Sequence, residues 1–141
     1  MIWGWSAQRE LLPSAIEEVL RYRSPVQAVF RVTKRDVEVP CQLIPAGKLV
    51  LPMIGSANRD PRQFPDANRF DITRNPNPHI AFGNEIHFCI GAALSRLEAR
   101  IGLTNLLDRL HDIEVASDDP WEPRQAFHVH GPNRLPIRFR T

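Results

Sequence analysis

Between Pro13 and Arg23 the apolar residues Ile16, Val19 and Leu20 fall on one helical face, Ser14 stands three residues ahead of Glu17 as in a capping box, and Pro25 stops the pattern. The spacing predicts a helix over 13–23, with Glu18 and Arg21 three apart on one face and able to pair. Over 27–33 the period shortens to two: Ala28, Phe30 and Val32 alternate with Gln27, Arg31 and Thr33, which predicts a strand. Residues 36–41 and 49–54 continue this β region, and Ile44-Pro45-Ala46-Gly47 supplies the turn between its last two strands. Residues 56–71 set turn formers around a few aromatics and read as a compact, ordered loop.

The strongest helical pattern runs over 90–110. Ile90, Leu94, Leu97 and Ile101 make one stripe, continued by Leu103, Leu106, Leu107 and Leu110, while Arg96, Glu98, Arg100 and Arg109 face outward or pair. Beyond it, Asp118-Asp119-Pro120, the turn at Gly131-Pro132-Asn133 and the run Leu135-Pro136-Ile137-Arg138-Phe139 predict two or three terminal strands, with His128 and His130 at the surface.

Length and composition narrow this picture. At 141 residues, 43% hydrophobic and 24% charged, the chain suits one globular domain with a modest core, and its 13 prolines, clustered between Pro40 and Pro78, make the centre rich in loops. Eighteen basic against 16 acidic residues leave a net charge of +2, too balanced to argue for nucleic acid. No apolar run reaches membrane-spanning length and the first residues lack a signal peptide's features, so no membrane association is expected. Cys41 and Cys89 form no C-x-x-C pair, which argues against a disulfide framework or a zinc ribbon and makes a reduced, cytoplasmic setting the expectation. Residues 1–12, with two of the three tryptophans, carry no clear pattern and read either as a packed leader or as a product of where the reading frame begins.

Candidate chemistry concentrates at Cys89. It stands at the mouth of the 90–110 helix, where unpaired N–H groups and a partial positive charge favour a thiolate, hence a soft ligand or nucleophile. A zinc site from His79, His87 and Cys89 would need a fourth ligand, and a cysteine hydrolase has no marked general base except His87.

The run Phe82-Gly83-x-x-x-His87-x-Cys89-x-Gly91, followed by Ala92-x-Leu94-x-Arg96-x-Glu98, resembles the haem-binding loop and following helix of the cytochrome P-450 superfamily. The likeness extends over 13–140 in five motifs and is greatest to soluble bacterial members. It implies an α+β fold, the carboxy-terminal portion of the cytochrome P-450 fold: short helix, small β-sheets, meander loop, cysteine haem loop, long helix and terminal strands. By the same resemblance Cys89 is the axial thiolate ligand of the iron of haem b, Phe82 shields that thiolate, and Gly83 and Gly91 let the backbone approach. His87 and Arg31 would bind haem propionates, a guanidinium being suited to a carboxylate. Glu18 and Arg21, in Glu17-Glu18-Val19-Leu20-Arg21-Tyr22-x-x-Pro25, would form a buried ion pair that Arg69 completes into a structural network. Ile44-Pro45-x-Gly47 and the terminal Leu-Pro-Ile-Arg-Phe fit the same pattern.

The resemblance further implies a haem-thiolate monooxygenase that takes electrons from a ferredoxin or flavoprotein reductase and inserts oxygen into a small organic substrate, which residues near 26–29 would touch. Residues 13–141 would then be a partial haem-binding region, because the family's long distal helix, which activates oxygen, has no counterpart in the sequence. Exposed apolar surface and unpaired sheet edges are expected. The same gap raises a second reading, a non-catalytic haem-binding remnant or module. One residue departs from the pattern: Glu85 occupies a position where the family usually has glycine with positive φ, at a cost of about 1 kcal/mol and with an added negative charge.

Overall fold

A computed structural model describes residues 8–40, 42–116, 118 and 122–141. The expected leader over 1–12 therefore lies largely outside the described residues, as do Cys41 at the end of the 36–41 strand and Asp119-Pro120.

Helix α1, Leu12–Tyr22, follows a 3-10 turn at Arg9–Leu11 and carries Pro13 in its first turn, where the missing N–H costs nothing. The helix starts before the expected Ser14 cap, so Ser14 is already helical and its hydroxyl donates to the Leu11 carbonyl at 2.9 Å. No capping box forms. Its buried face is Leu12, Ala15 and Ile16 with Glu18 and Arg21, while Val19 is exposed.

The central region is built of two small antiparallel pairs. Strand β1, Arg31–Val32, pairs with β4, Leu49–Val50, and β2, Val37–Val39, pairs with β3, Gln42–Ile44. The strand expected over 27–33 is thus cut to two residues. Its earlier backbone groups bond to different neighbours, the Gln27 N–H to the His128 carbonyl at 2.8 Å and the Val29 N–H to the Pro52 carbonyl at 3.2 Å, so no single ladder runs through it. The strand expected over 49–54 also ends early, at Val50, and Ile54–Ala57 is a one-turn helix, α2. Gly47, with φ of 76°, closes the turn between β3 and β4, which bond to β2 and β1 rather than to each other.

The loop over 56–71 is ordered without strands, with Phe64 and Ala67 buried. Helix α3, Ala92–Arg109, leads to β5, His111–Val115, which pairs with the terminal β8, Ile137–Arg140; β6, Glu122–Pro123, pairs with β7, Pro132–Arg134. His128 is not a strand surface residue: it is half-buried, with its ring edge-on to Phe30 and Phe127.

Among the described residues the apolar core, with Leu12, Ala15, Ile16, Ile54, Phe64, Ala81, Ala92 and Leu107 among its members, is small. The largest fully buried side chains among the described residues are polar: Arg21, Glu18, Asn58 and Ser24. Large apolar side chains remain exposed, Ile90, Leu94, Leu97 and Ile101 of the expected α3 stripe among them, as do Val32, Leu43 and Leu49 on the small sheets.

Candidate functional site

The cysteine loop is a tight hairpin fixed by its own backbone. The Cys89 N–H donates to the Phe82 carbonyl at 2.8 Å, and the Gly83 N–H to the Ile80 carbonyl at 2.9 Å. Gly83 has φ of 78°, and a Cβ on it would stand 2.8 Å from the His87 carbonyl oxygen, so only glycine fits. Glu85, with φ of 49°, opens the 3-10 turn Glu85–His87; the positive φ expected of the family's glycine is borne here by a glutamate. Gly91 caps α3 at φ of −82°, a conformation open to any residue, and a Cβ there would meet the Cys89 Sγ at an ordinary 3.7 Å. Cys89 itself sits two residues ahead of that cap rather than in the first helical turn, and its thiol is exposed.

In front of the hairpin lies an open cleft of about 290 Å³. Cys89, His87, Phe82, Gly83 and Arg31 all line it, with Leu20, Val26 and Val29 supplying apolar wall. Of the six residues expected at a cofactor, Gly91 alone stands off this wall, beside the sulfur. Arg31 comes from β1, and its guanidinium donates to the Phe30 carbonyl at 2.8 Å. A larger hollow of about 700 Å³, lined by Arg23, Arg124, Phe127 and His130, gathers none of the five.

Behind the cleft is a buried network around Glu18 and Arg21, whose side chains are both fully buried. Arg21 grips the carboxylate with two bonds, Nε to Oε2 and Nη2 to Oε1, each 2.8 Å. Its remaining donors reach backbone carbonyls of Asn58 and Ala67, both at 2.9 Å, and of Arg69 at 3.1 Å. Glu18 also accepts from the Asp71 N–H at 2.8 Å and from Asn77 Nδ2 at 3.1 Å. Burial alone would push the Glu18 carboxyl up, but hydrogen bonds from Arg21 and the Asp71 N–H, with the Arg21 and Arg74 charges, hold it below the ordinary carboxylate value. A buried pair so fully bonded meets the condition under which burial of two charges is tolerated.

The second guanidinium at Glu18 is not that of Arg69. Arg74 Nε approaches Glu18 Oε2 at 3.5 Å, whereas Arg69 enters the network through its backbone carbonyl. The reason is the course of the meander, which turns the Arg69 main chain toward Arg21 and leaves its side chain exposed.

Asn58, which no sequence motif marks, joins this network to the hairpin. It is fully buried; its Nδ2 donates to Ser24 Oγ at 2.8 Å, and its Oδ1 accepts the Ile80 N–H at 2.8 Å, just before the cysteine loop. His79 is off the cleft, with Nε2 at 2.9 Å from Glu17, and among the described residues no group of three or more His, Cys, Asp or Glu side chains gathers to hold a metal.

A thiol, a guanidinium and an imidazole thus share one largely apolar cleft. The family profile described as Cytochrome P450 matches residues 3–134, and the chain belongs to that family. It is 49% identical over 130 residues to cytochrome P450 107B1 of Saccharopolyspora erythraea, covering 91% of this chain and 32% of that protein. It is 44% identical over 138 residues to the cytochrome P450 monooxygenase PikC of Streptomyces venezuelae, covering 95% of this chain and 33% of that one. Among solved structures, CYP109E1 from Bacillus megaterium in complex with testosterone superposes with a TM-score of 0.92 at 47% identity, over 96% of this chain and 38% of that one. P450BioI in complex with an acyl carrier protein ligated to hexadec-9Z-enoic acid gives 0.93 at 39% identity, over 99% and 36%. The chain thus spans about a third of the length of the curated relatives it matches.

Proposed function

We propose that this chain carries the cysteine-ligated haem site of a monooxygenase-type oxidoreductase. The observation that carries the reading is the convergence of Cys89, Arg31 and His87 on one cleft with apolar walls. The donor set fits haem b: a soft sulfur for iron, two nitrogen donors for carboxylates, and Phe82, Val26, Val29 and Leu20 for a flat apolar ring. When bound, haem b supplies dioxygen activation, which a thiolate ligand's electron donation favours.

Everything else is the work of the chain. Cys89 presents its sulfur from a hairpin closed by its own N–H; Gly83 lets that hairpin turn; Arg31 and His87 orient a carboxylate-bearing ligand. Glu18, Arg21 and Asn58 hold the loop from behind. PikC is named as a monooxygenase, and CYP109E1 was seen with testosterone, which supports a small organic substrate here; a ferredoxin or flavoprotein reductase as electron source is part of the proposal. No helix among the described residues is long and apolar enough to cross a membrane; a cytoplasmic setting is part of the proposal.

A second reading, a non-catalytic haem-binding module, keeps the same cleft and donor set without turnover. One spectrum and one turnover assay separate the two. Supplied with haemin, reduced and exposed to carbon monoxide, the chain should give the red-shifted Soret band of thiolate ligation, and Cys89→Ser should abolish it. Incorporation of labelled dioxygen into an organic product marks the monooxygenase; the band without incorporation marks the module; no band refutes both.

A further inference from the structure

Glu17 and His79 stand off the cleft wall, yet both are tied to the cysteine loop. The Glu17 carboxylate receives Arg96 Nε at 2.7 Å and Arg96 Nη2 at 2.8 Å, and its Oε2 lies 2.9 Å from His79 Nε2. On the other side of the ring, the Ala81 N–H donates to His79 Nδ1 at 3.2 Å. A nitrogen that accepts carries no proton, so the ring is neutral with its proton on Nε2, and that N–H donates to Glu17. The His79 side chain is 3% exposed, and burial holds its pKa below the ordinary value, which agrees with a neutral ring.

The third member reaches the aromatic beside the cysteine. The Arg96 guanidinium lies over the Phe82 ring, 4.6 Å from its centroid, and the Phe82 carbonyl is the acceptor of the Cys89 N–H. One carboxylate on α1 therefore gathers the loop's entry, through His79 and Ala81, and the loop's closing bond, through Arg96 and Phe82. Arg96, read from sequence as facing outward or paired, is engaged in this pairing.

We propose that Glu17 and His79 are positioning residues of the cysteine loop, which set the Phe82 carbonyl against the Cys89 N–H and so the direction of the sulfur. The purpose of this clamp rests on the haem-thiolate reading; the clamp itself is a property of the hairpin. Its test begins on the 141-residue chain without haem, by site-resolved amide hydrogen exchange in wild type, Glu17→Gln, His79→Leu and His79→Asn. Glu17→Gln and His79→Leu should each speed exchange at Cys89 and Ala81 roughly threefold to tenfold, the factor for one net hydrogen bond, with the Leu107 amide of α3 unchanged. His79→Asn, whose Oδ1 can take the Ala81 N–H, should restore protection at Ala81. Unchanged exchange at Cys89 in both variants overturns the proposal, and so does an equal rise at Leu107, because the effect is then global.

The same proteins loaded with haemin and reduced under carbon monoxide keep the two readings apart. The clamp predicts a smaller fraction of red-shifted Soret band in Glu17→Gln and His79→Leu than in wild type. A wild-type band that the variants reproduce in full overturns the clamp and leaves the haem site standing. No band in wild type, with faster Cys89 exchange in the variants, upholds the clamp and removes the haem site.

Discussion

Gly83 and Glu85 hold positive φ two residues apart, 78° and 49°, and only one of them is a glycine. At Gly83 both the dihedral and the 2.8 Å approach to the His87 carbonyl forbid a side chain, so Gly83→Ala should lower stability by about 2 kcal/mol in urea denaturation. At Glu85 the strain is borne in the native chain, and Glu85→Gly should raise stability by about 0.5 kcal/mol, the relief of the left-handed backbone less glycine's greater entropy when unfolded. Glu85 was legible in sequence because it replaces an expected glycine. Asn58 was not: it is one turn former among many, and its partners Ser24 and Ile80 lie 34 and 22 positions away. Glu17 was misread as half of a capping box because its true partner, Arg96, is 79 positions distant.

Among the elements, α3 shows what periodicity does and does not say. The pattern placed it within two residues of its observed ends, 90–110 against Ala92–Arg109, because a long apolar repeat leaves little choice of conformation. The same repeat carries no information on what covers each face, and only Ala92 and Leu107 of the helix are buried. Leu107→Ala should therefore cost about 2–4 kcal/mol in urea denaturation, whereas Leu97→Lys on the exposed side should change stability by no more than about 0.5 kcal/mol. The short strands were legible as a β region but not in extent, since alternation over 27–33 marks a strand-like chain while its hydrogen bonds are divided among 128, 52 and the partner strand.

For the whole molecule, the polar interior around Glu18 and Arg21 makes stability depend on pH. Glu17, chiefly through its bonds with Arg96, and Glu18, through the network that outweighs its burial, both have pKa values below the ordinary 4.5, so the unfolded chain takes up their protons first as pH falls. His79, lowered by burial from 6.5, acts in the same direction at higher pH: its contribution is present above that value and fades as pH falls below it. Thermal melts should show stability declining from about pH 6.5 downward, with the upper part of the decline missing in His79→Asn and the part below 4.5 retained. On the proposed reading these groups hold one sulfur at the mouth of a cleft, and a bond from that sulfur to haem iron is its central claim. Resonance Raman spectra of the ferric, haemin-loaded chain, made with ordinary and isotopically heavy cysteine sulfur, test it directly. An iron–sulfur stretching band that shifts with the isotope, persists in Cys41→Ser and disappears in Cys89→Ser is the result expected; no isotope-sensitive band, or one that survives Cys89→Ser, would contradict it.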